Sequence, residues 1–389
     1  MLSTLCLLAA LSQASPIAEV PFRVTDEAII VDATVNGKTV SAMFDTGFAG
    51  AIVLNDAIDV GPPSGNILLR DFVGEIEVPT VKLKSLVFGG QSVDVSGLEI
   101  VQQPLARLSQ VYHAHTDGIL GFSVIKNFVA EIDFEHHRFL LHPKSFDITT
   151  RMPDNRRTFL ARMLPMGQSS IELEARTRDG KPMALSLDTG NAFYATTHKD
   201  SLERVGLWPD GWKPHYPRYS SIASGPVESY AVRLKQMSVW GVPVAESVWD
   251  VIDLPSSSAE GDGTVGFQFL KNFNLVIDYE RRAVWLDNFT GKVADDPPGE
   301  AGLDAGYSKR TKRIEVAHVV AGGPAAEAGI KEGDELLSVD GEDLTMQGLR
   351  RMRKMLNGAP GSKVRLALSR NGVLRRIELT RALLINDPP

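Results

Sequence analysis

Cysteine is almost absent from this chain, which holds one cysteine among 389 residues. Cys6 lies in a short apolar run near the start, so the chain after that run has no thiol and can form no disulfide. Thr4-Leu5 precede it, where lipoprotein attachment would need small residues. This composition argues against a disulfide-rich secreted enzyme of the eukaryotic type and suits a bacterial envelope protein.

Long hydrophobic runs are also missing, because no segment approaches the ~20 apolar residues that a membrane-spanning helix needs. The apolar run at residues 2–11 is followed by Ser12-Gln13-Ala14, the small-x-small pattern of a signal-peptidase site. Residues 1–14 are therefore predicted to be a signal peptide, with export to the bacterial periplasm or cell envelope. A misassigned start is the alternative, since no basic residue precedes the run.

An excess of positive charge is absent as well. The formal net charge is −7, so nucleic acid is not an expected partner. The apolar content of 43% and charged content of 23% are those of an ordinary soluble globular protein. At this length we expect two or three domains, each with an ample core.

Two families of catalytic motif are missing. The chain has no GxSxG, so a serine mechanism lacks its usual signature. It has no HExxH, and His113-Ala114-His115 lacks a third ligand at useful spacing, which favours a loop over a metal site. We therefore expect neither a metal nor a cofactor.

What is present is an internal repeat. The segment AMFDTGFAG contains Asp45 and the segment ALSLDTGNAF contains Asp188, 143 residues later. A two-residue hairpin signal precedes each segment, Asn36-Gly37 in the first and Asp179-Gly180 in the second. Further on, DGILGFSVIKNF is echoed by DGTVGFQFLKNF at an offset of 145. The repeat predicts two homologous lobes, residues 17–148 and 149–290.

The paired Asp-Thr-Gly segments resemble those of aspartic proteases, specifically the retropepsin-like lobes of bacterial proteins that also carry a PDZ domain. The resemblance implies a mainly β fold with two homologous acid-protease β-barrel lobes. It also implies that Asp45 and Asp188 are catalytic and share a proton while they activate one water molecule. The implied activity is an aspartic endopeptidase that acts on polypeptides, with both aspartates on a single chain that completes the site as a monomer.

The resemblance also implies a supporting role for the residues beside the two aspartates. In that family the threonines brace the pair by reaching across to the opposite lobe, and the glycines allow a tight turn. The supporting residues are expected to be Thr46, Gly47, Thr189, Gly190 and Asn191. The amide of Asn191 could donate to Asp188 and favour its ionised form, whereas Phe48 departs from the family pattern and offers Asp45 no such donor. A hairpin flap is expected at residues 62–74.

Two other functions stay open at this point. One is a catalytically inactive peptide-binding scaffold of the same fold, which the presence of Phe48 favours. The other is a half-site protein that must form a homodimer, which the internal duplication disfavours.

The C-terminal part carries a separate pattern. A polar segment rich in proline and glycine, residues 291–301, is typical of a linker. Residues 302–384 resemble an α+β PDZ domain of bacterial envelope proteases, with Gly-x-Pro-Ala-x-x-Ala-Gly-Ile at residues 322–330. Met346, Leu349, Met352 and Leu356 form one apolar helix face.

A PDZ domain binds a peptide as an added strand beside such a helix and captures the C-terminal carboxylate. The resemblance places the peptide contacts at Leu303, Asp304, Ala305, Gly306, Leu349 and Met352, the first four in a loop. The alternative is a PDZ domain that only packs on the lobes.

Overall fold

The computed structural model describes residues 15–70, 75–96, 98, 100–105, 109, 114–166, 170–222, 225–254, 261–344 and 349–389. The predicted signal peptide at residues 1–14 lies outside this part. The described chain is mainly β, and its helices are short. None of the helices in these ranges is both long enough and apolar enough to cross a membrane.

Among its described residues, the first lobe has twelve strands and two short 3-10 turns, residues 122–124 and 148–150, near its end. The strands are β1 (Ala18–Val24), β2 (Ile29–Val35), β3 (Lys38–Asp45), β4 (Ile52–Asn55), β5 (Pro63–Arg70), β6 (Glu75–Val81), β7 (Leu86–Phe88), β8 (Gln91–Val93), β9 (Ile100–Gln103), β10 (Gly118–Gly121), β11 (Val129–Asp133) and β12 (Arg138–His142).

The second lobe contains ten strands and two short helices, α1 (Lys199–Val205) and α2 (Phe267–Leu270). The strands are β13 (Thr158–Arg162), β14 (Glu172–Arg176), β15 (Pro182–Leu187), β16 (Ala195–His198), β17 (Pro217–Ile222), β18 (Gly225–Val239), β19 (Val242–Ile252), β20 (Gly263–Val265), β21 (Asn274–Asp278) and β22 (Ala283–Asp287).

The repeat in the sequence corresponds to a repeat of strand order. The first lobe runs β3-β10-β4-β9-β6-β5 and the second runs β15-β20-β16-β19-β18-β17. In each lobe the strand that ends at the Asp-Thr-Gly turn pairs in parallel with a strand of the second repeated segment, β10 in DGILGFSVIKNF or β20 in DGTVGFQFLKNF. Alternate residues of β3, Val40, Ala42 and Phe44, are buried in the core, as a half-buried strand requires.

The lobes are joined by one six-stranded sheet in the order β13-β22-β21-β11-β12-β1. Its centre is the antiparallel pair β11 and β21, which are repeat equivalents of each other. Val129 pairs with Asp278 and Ile132 with Leu275. β11 and β21 are equivalent strands of the repeat, and they pair antiparallel. This pairing relates the two lobes by an approximate two-fold axis, as in a symmetric dimer. This symmetry directs both Asp-Thr-Gly turns to the same place between the lobes.

The C-terminal domain has its own sheet in the order β24-β25-β26-β29-β30 and its own apolar core. Its strands are β23 (Gly299–Glu300), β24 (Leu303–Ser308), β25 (Arg313–Val319), β26 (Glu335–Val339), β27 (Glu342–Asp343), β28 (Asn357–Gly358), β29 (Lys363–Arg370) and β30 (Val373–Thr380). Its helices are α3 (Pro324–Glu327) and α4 (Leu349–Leu356).

The boundaries of this domain differ from the predicted ones. β23 pairs with β28, so residues 299–301, which were predicted to be linker, belong to the domain. The predicted carboxylate-binding loop is also wrong, because Leu303–Ser308 form strand β24 along the edge of the sheet. Leu303 and Ala305 alternate with exposed Asp304 and point into the core, which favours a strand over a loop.

Candidate functional site

Each aspartate of the repeat ends a strand and accepts hydrogen bonds from the turn that follows it. The Oδ1 atom of Asp45 accepts from the backbone N–H of Gly47 at 2.8 Å and of Phe48 at 3.1 Å. The Oδ1 atom of Asp188 accepts from Gly190 at 2.9 Å and from Asn191 at 3.1 Å. The local sequence thus folds into the same Asx-type turn twice.

The two threonines join the turns across the lobes. Thr46 Oγ1 donates to the carbonyl of Leu187 at 2.7 Å, and Thr189 Oγ1 donates to the carbonyl of Phe44 at 2.8 Å. The backbone N–H of each threonine donates to the hydroxyl of the other, at 3.1 Å from Thr46 and 2.9 Å from Thr189. Both threonines are completely buried. The structure therefore brings together the two turns from opposite halves of the chain.

The glycines are required because each one faces the carboxyl group of the opposite lobe. A Cβ atom on Gly47 would lie 2.7 Å from Cγ of Asp188, and one on Gly190 would lie 2.4 Å from Cγ of Asp45. Carbon atoms pack at about 3.5–4.0 Å, so any side chain at either position would collide with a carboxyl group.

The carboxyl groups of Asp45 and Asp188 face each other across the junction of the lobes, since each lies against the glycine of the opposite turn. Burial raises the pKa of both groups, and the charge of Asp45 raises the pKa of Asp188 further. Two adjacent carboxylates with little access to water cannot both ionise easily, so the titration belongs to the pair.

The predicted asymmetry between the two aspartates is wrong. The side-chain amide of Asn191 donates to the hydroxyls of Thr196 at 3.0 Å and Thr264 at 2.6 Å, and not to Asp188. The donor to Asp188 is the backbone N–H of Asn191, and Phe48 provides the same backbone donor to Asp45. Burial raises the pKa of both Asp45 and Asp188, so it does not single out Asp188 as the holder of the charge.

Phe48 packs away from the carboxyl pair. Its half-buried ring joins a small apolar cluster with Val53, Val78 and Ile67, which places it against the β5–β6 hairpin. Two glycines leave room for the ring, because a Cβ atom on Gly121 would lie 2.6 Å from Cδ1 of Phe48. The second is Gly50, where a Cβ atom would lie 2.2 Å from Cζ of the same ring. The sequence analysis gave neither glycine an individual role, although Gly121 lies in the repeated segment DGILGFSVIKNF.

The predicted flap segment forms the antiparallel hairpin β5–β6, which pairs Pro63 with Val81 at its base and Arg70 with Glu75 near its tip. Residues 71–74 lie outside the described part of the chain. The second lobe has a counterpart in the hairpin β17–β18. The sequence analysis did not predict this counterpart, although its strands include the alternating segment VESYAVRL.

The predicted peptide contacts of the C-terminal domain are only partly available. Leu303, Ala305 and Met352 are buried in the domain core, and the side chain of Leu349 lies outside the described side chains. Asp304 is exposed and Gly306 is half-buried. β24 pairs on one side with β25 and contacts α4. The accessible feature is thus the strand edge itself rather than the six predicted side chains.

Comparison with known proteins assigns this domain. The PDZ domain family model matches residues 288–369. A probable periplasmic serine endoprotease DegP-like of Brucella suis is 46% identical over 66 residues, which are 17% of this chain and 12% of that protein. A carboxyl-terminal-processing protease of Synechocystis sp. is 32% identical over 89 residues, 22% of this chain and 21% of that protein. The solved structure of a photosystem II D1 C-terminal processing protease is 30% identical, covers 22% of this chain and 24% of its own, and has a TM-score of 0.21.

These comparisons correct the prediction of an aspartic endopeptidase. The DegP-like relative is named as a serine endoprotease, and the Synechocystis relative is named as a carboxyl-terminal-processing protease. The aspartyl and retropepsin-like assignments are not supported by any of these matches. The chain spans about an eighth of the length of the DegP-like relatives, 12%, and the family model covers residues 288–369 alone. The resemblance rested on short motifs in the lobes, which lie outside the residues of that model.

The C-terminal part of the chain has its own sheet and its own apolar core, and the PDZ family model matches it. The protein is mainly β and carries a PDZ domain at its C-terminus.

Proposed function

We propose that the protein binds extended polypeptide segments through its PDZ domain, as a strand added to the edge of β24. The observation that carries this proposal is the position of β24. Among the described strands it pairs only with β25, and α4 lies against it. An edge strand beside a helix offers unpaired backbone groups together with a groove for alternate side chains, which is the arrangement that PDZ ligands use.

The ligand is a polypeptide with a free C-terminal carboxylate. Two of the relatives are named for the processing of carboxyl termini, which supports this choice of chain end. The DegP-like relative is named as periplasmic, and residues 1–14 have the pattern of a signal peptide. We therefore propose an exported protein that meets its polypeptide ligands in the periplasm or cell envelope.

The binding test uses a fluorescein-labelled decapeptide with an apolar C-terminal residue, and the same peptide with a C-terminal amide. We expect the free acid to bind and the amide to bind at least tenfold more weakly, since a lost charge-assisted hydrogen bond is worth ~1.5–3 kcal/mol. Equal affinity of the two peptides would contradict capture of the carboxylate.

A pair of variants at Gly306 locates the binding site. A Cβ atom at Gly306 would meet nothing within 4 Å, so the fold tolerates a side chain there. Gly306→Trp should obstruct the edge of β24 and abolish binding, whereas the matched Gly306→Ala should leave it unchanged. Unaltered binding in Gly306→Trp would place the ligand elsewhere.

We further propose that Asp45 and Asp188 are functional residues of the two-lobed unit, because the hydrogen bonds of the two threonines hold their turns side by side across the lobes. Burial raises the pKa of both groups, which favours their protonated forms. The test follows both carboxyl groups by carbon NMR between pH 3 and pH 7 in the parent chain and in Asp45→Asn and Asp188→Asn. A changed titration of each aspartate when the other is replaced supports a coupled pair, and independent titration would contradict it.

A further inference from the structure

The last residues of the chain leave the PDZ domain and attach to the second lobe. After β30, the tail runs to Asn386, which forms a parallel bridge with Val232 on β18. The backbone N–H of Asn386 donates to the carbonyl of Ala231 at 2.8 Å, and the N–H of Arg233 donates to the carbonyl of Asn386 at 2.9 Å. The tail thus adds a short stretch of strand to a sheet that belongs to another domain.

The side chain of Asn386 completes this attachment. It is 3% exposed. Its Oδ1 atom accepts from the backbone N–H groups of His215 at 2.7 Å and Tyr216 at 2.9 Å. Its Nδ2 atom donates to the carbonyls of Tyr216 at 3.2 Å and Ala231 at 3.1 Å. An asparagine amide offers two donors and two acceptor sites, and all four are used here. Neither aspartate nor leucine could replace it without leaving buried groups unpaired.

Contacts around the tail bring the β17–β18 hairpin against the PDZ domain. Nη2 of Arg218 donates to Oε1 of Glu300 at 3.1 Å and to the carbonyl of Leu384 at 2.7 Å. The ring of Tyr219 meets the ring of His318 edge to face, with centroids 5.1 Å apart. His318 lies on β25 and pairs with Asp304 on β24. The hairpin of the second lobe therefore touches the strand next to the proposed ligand edge.

The PDZ domain is held at both of its ends. The linker enters at β23, and the tail leaves after β30 and returns to the second lobe, where Asp387 also pairs with Arg233 at 3.0 Å. A domain tethered only by a polar linker samples many orientations. A second attachment with a buried, fully bonded side chain removes that freedom.

We propose that residues 383–389 act as an intramolecular clasp that fixes the PDZ domain on the second lobe. A polypeptide on β24 is thereby held beside the β17–β18 hairpin, and its binding is transmitted to that hairpin through His318 and Tyr219. This last step rests on the proposed peptide binding, whereas the clasp itself does not.

The first test measures the orientation of the domain in the full chain. Spin labels are placed at two exposed positions through Arg178→Cys on the second lobe and Lys309→Cys on the PDZ domain, in a Cys6→Ser background. Pulsed electron paramagnetic resonance should give one narrow distribution of the distance between the two labels in this background and a broad distribution after Asn386→Ala. The matched control is Asp387→Ala, in the same tail but half-exposed, and it should keep the narrow distribution. A narrow, unshifted distribution in Asn386→Ala would overturn the clasp.

The second test measures the coupling by hydrogen exchange with the free-acid decapeptide as ligand. The peptide should slow exchange in the β17–β18 hairpin of the parent chain by about tenfold, and should not do so in Asn386→Ala. Because a coupling free energy is reciprocal, peptide affinity measured by anisotropy should be weaker in Asn386→Ala, by up to about tenfold. Bound peptide without hairpin protection in the parent chain would overturn the coupling. Absence of any peptide binding would overturn the proposed function and, with it, the coupling, while the distance measurement decides the clasp separately.

Discussion

The two lobes share a strand order and a turn, yet they differ at the residue that follows the glycine of each Asp-Thr-Gly turn. In the first lobe this residue is Phe48, whose ring packs in an apolar cluster under the β5–β6 hairpin. In the second lobe it is Asn191, whose amide donates to two threonine hydroxyls, at 3.0 and 2.6 Å. A duplicated chain keeps the contacts that both halves must make with each other. It diverges where each half meets only its own surroundings.

The PDZ domain sharpens this contrast. Its tail, its Glu300 and its His318 all contact the β17–β18 hairpin and neighbouring segments of the second lobe. With the first lobe it forms an exposed ion pair between Lys354 and Asp26 at 2.5 Å. Surface pairs of this kind contribute at most about 1 kcal/mol. The added domain has therefore made equivalent parts of the repeat unequal.

The largest expected effect comes from the contact that both lobes share. Gly190→Ala and Gly47→Ala each place a Cβ atom 2.4 or 2.7 Å from the opposite carboxyl carbon, so both should destabilise the protein by about 3 kcal/mol. Urea unfolding measures this loss. Gly65→Ala is the control, because its Cβ atom would lie 3.7 Å from its nearest neighbour and should change stability little. A loss of stability in only one of the two variants would contradict the equivalence of the two turns.

Removal of a bracing hydroxyl should cost less. Thr46→Val and Thr189→Val keep the shape of the side chain but leave a buried carbonyl and a buried N–H without their partners. Each variant should lose about 2 kcal/mol in urea unfolding. Because the two hydroxyls belong to one network, the double variant should lose less than the sum. Thr39→Val on the exposed face of β3 should be neutral, and full additivity in the double variant would contradict a shared network.

Alanine at Phe48 and at Asn191, the position at which the two lobes differ, should have different effects in the two lobes. Phe48→Ala empties a half-buried apolar site and should destabilise the first lobe by about 1–2 kcal/mol, with faster hydrogen exchange in the β5–β6 hairpin. Asn191→Ala removes three side-chain hydrogen bonds in the second lobe, two donated to threonine hydroxyls and one accepted from the backbone N–H of Phe193, and should lower stability by about 1 kcal/mol without a change in that hairpin. Faster exchange of β5–β6 in Asn191→Ala would show that the two positions are not independent.

The smallest expected effect has the opposite sign and depends on pH. The pKa of Asp188 is raised above its ordinary value of 3.8, so the folded state holds this proton more tightly than the unfolded state does. The resulting stability is fully present below the unfolded pKa and is lost as pH rises through the folded pKa. Asp188→Asn removes this loss and should stabilise the protein by about 1 kcal/mol near pH 7, with no gain near pH 3.

Thermal unfolding at the two pH values measures this difference. Asp45→Asn is the matched variant and should shift in the same direction, since burial also raises the pKa of Asp45. A lower melting temperature of Asp188→Asn at pH 7 would contradict a raised pKa.

Several features could be predicted from local sequence because they depend on short spacing. The two Asp-Thr-Gly segments, their hairpin signals and the Gly-x-Pro-Ala pattern each lie within about twenty residues, and each forms a turn, a strand or a short helix in the structure. The mainly β character follows from the same alternation. The activity did not follow, because short motifs in the lobes suggested an aspartic enzyme, whereas the proteases found by comparison are serine-type or process carboxyl termini.

The sequence by itself determined the duplication, the two carboxyl groups and the presence of a PDZ domain, since these depend on residue types at fixed short intervals. Only the tertiary structure decided which groups surround them. Asn191 turned its amide to Thr196 and Thr264 rather than to Asp188, and Leu303–Ser308 became an edge strand instead of a loop. The side chain of Asn386 forms four hydrogen bonds with backbone groups of Ala231, His215 and Tyr216, which lie more than 150 residues away in the sequence. Side-chain partners of this kind are set by the packing of distant segments, which no local pattern records.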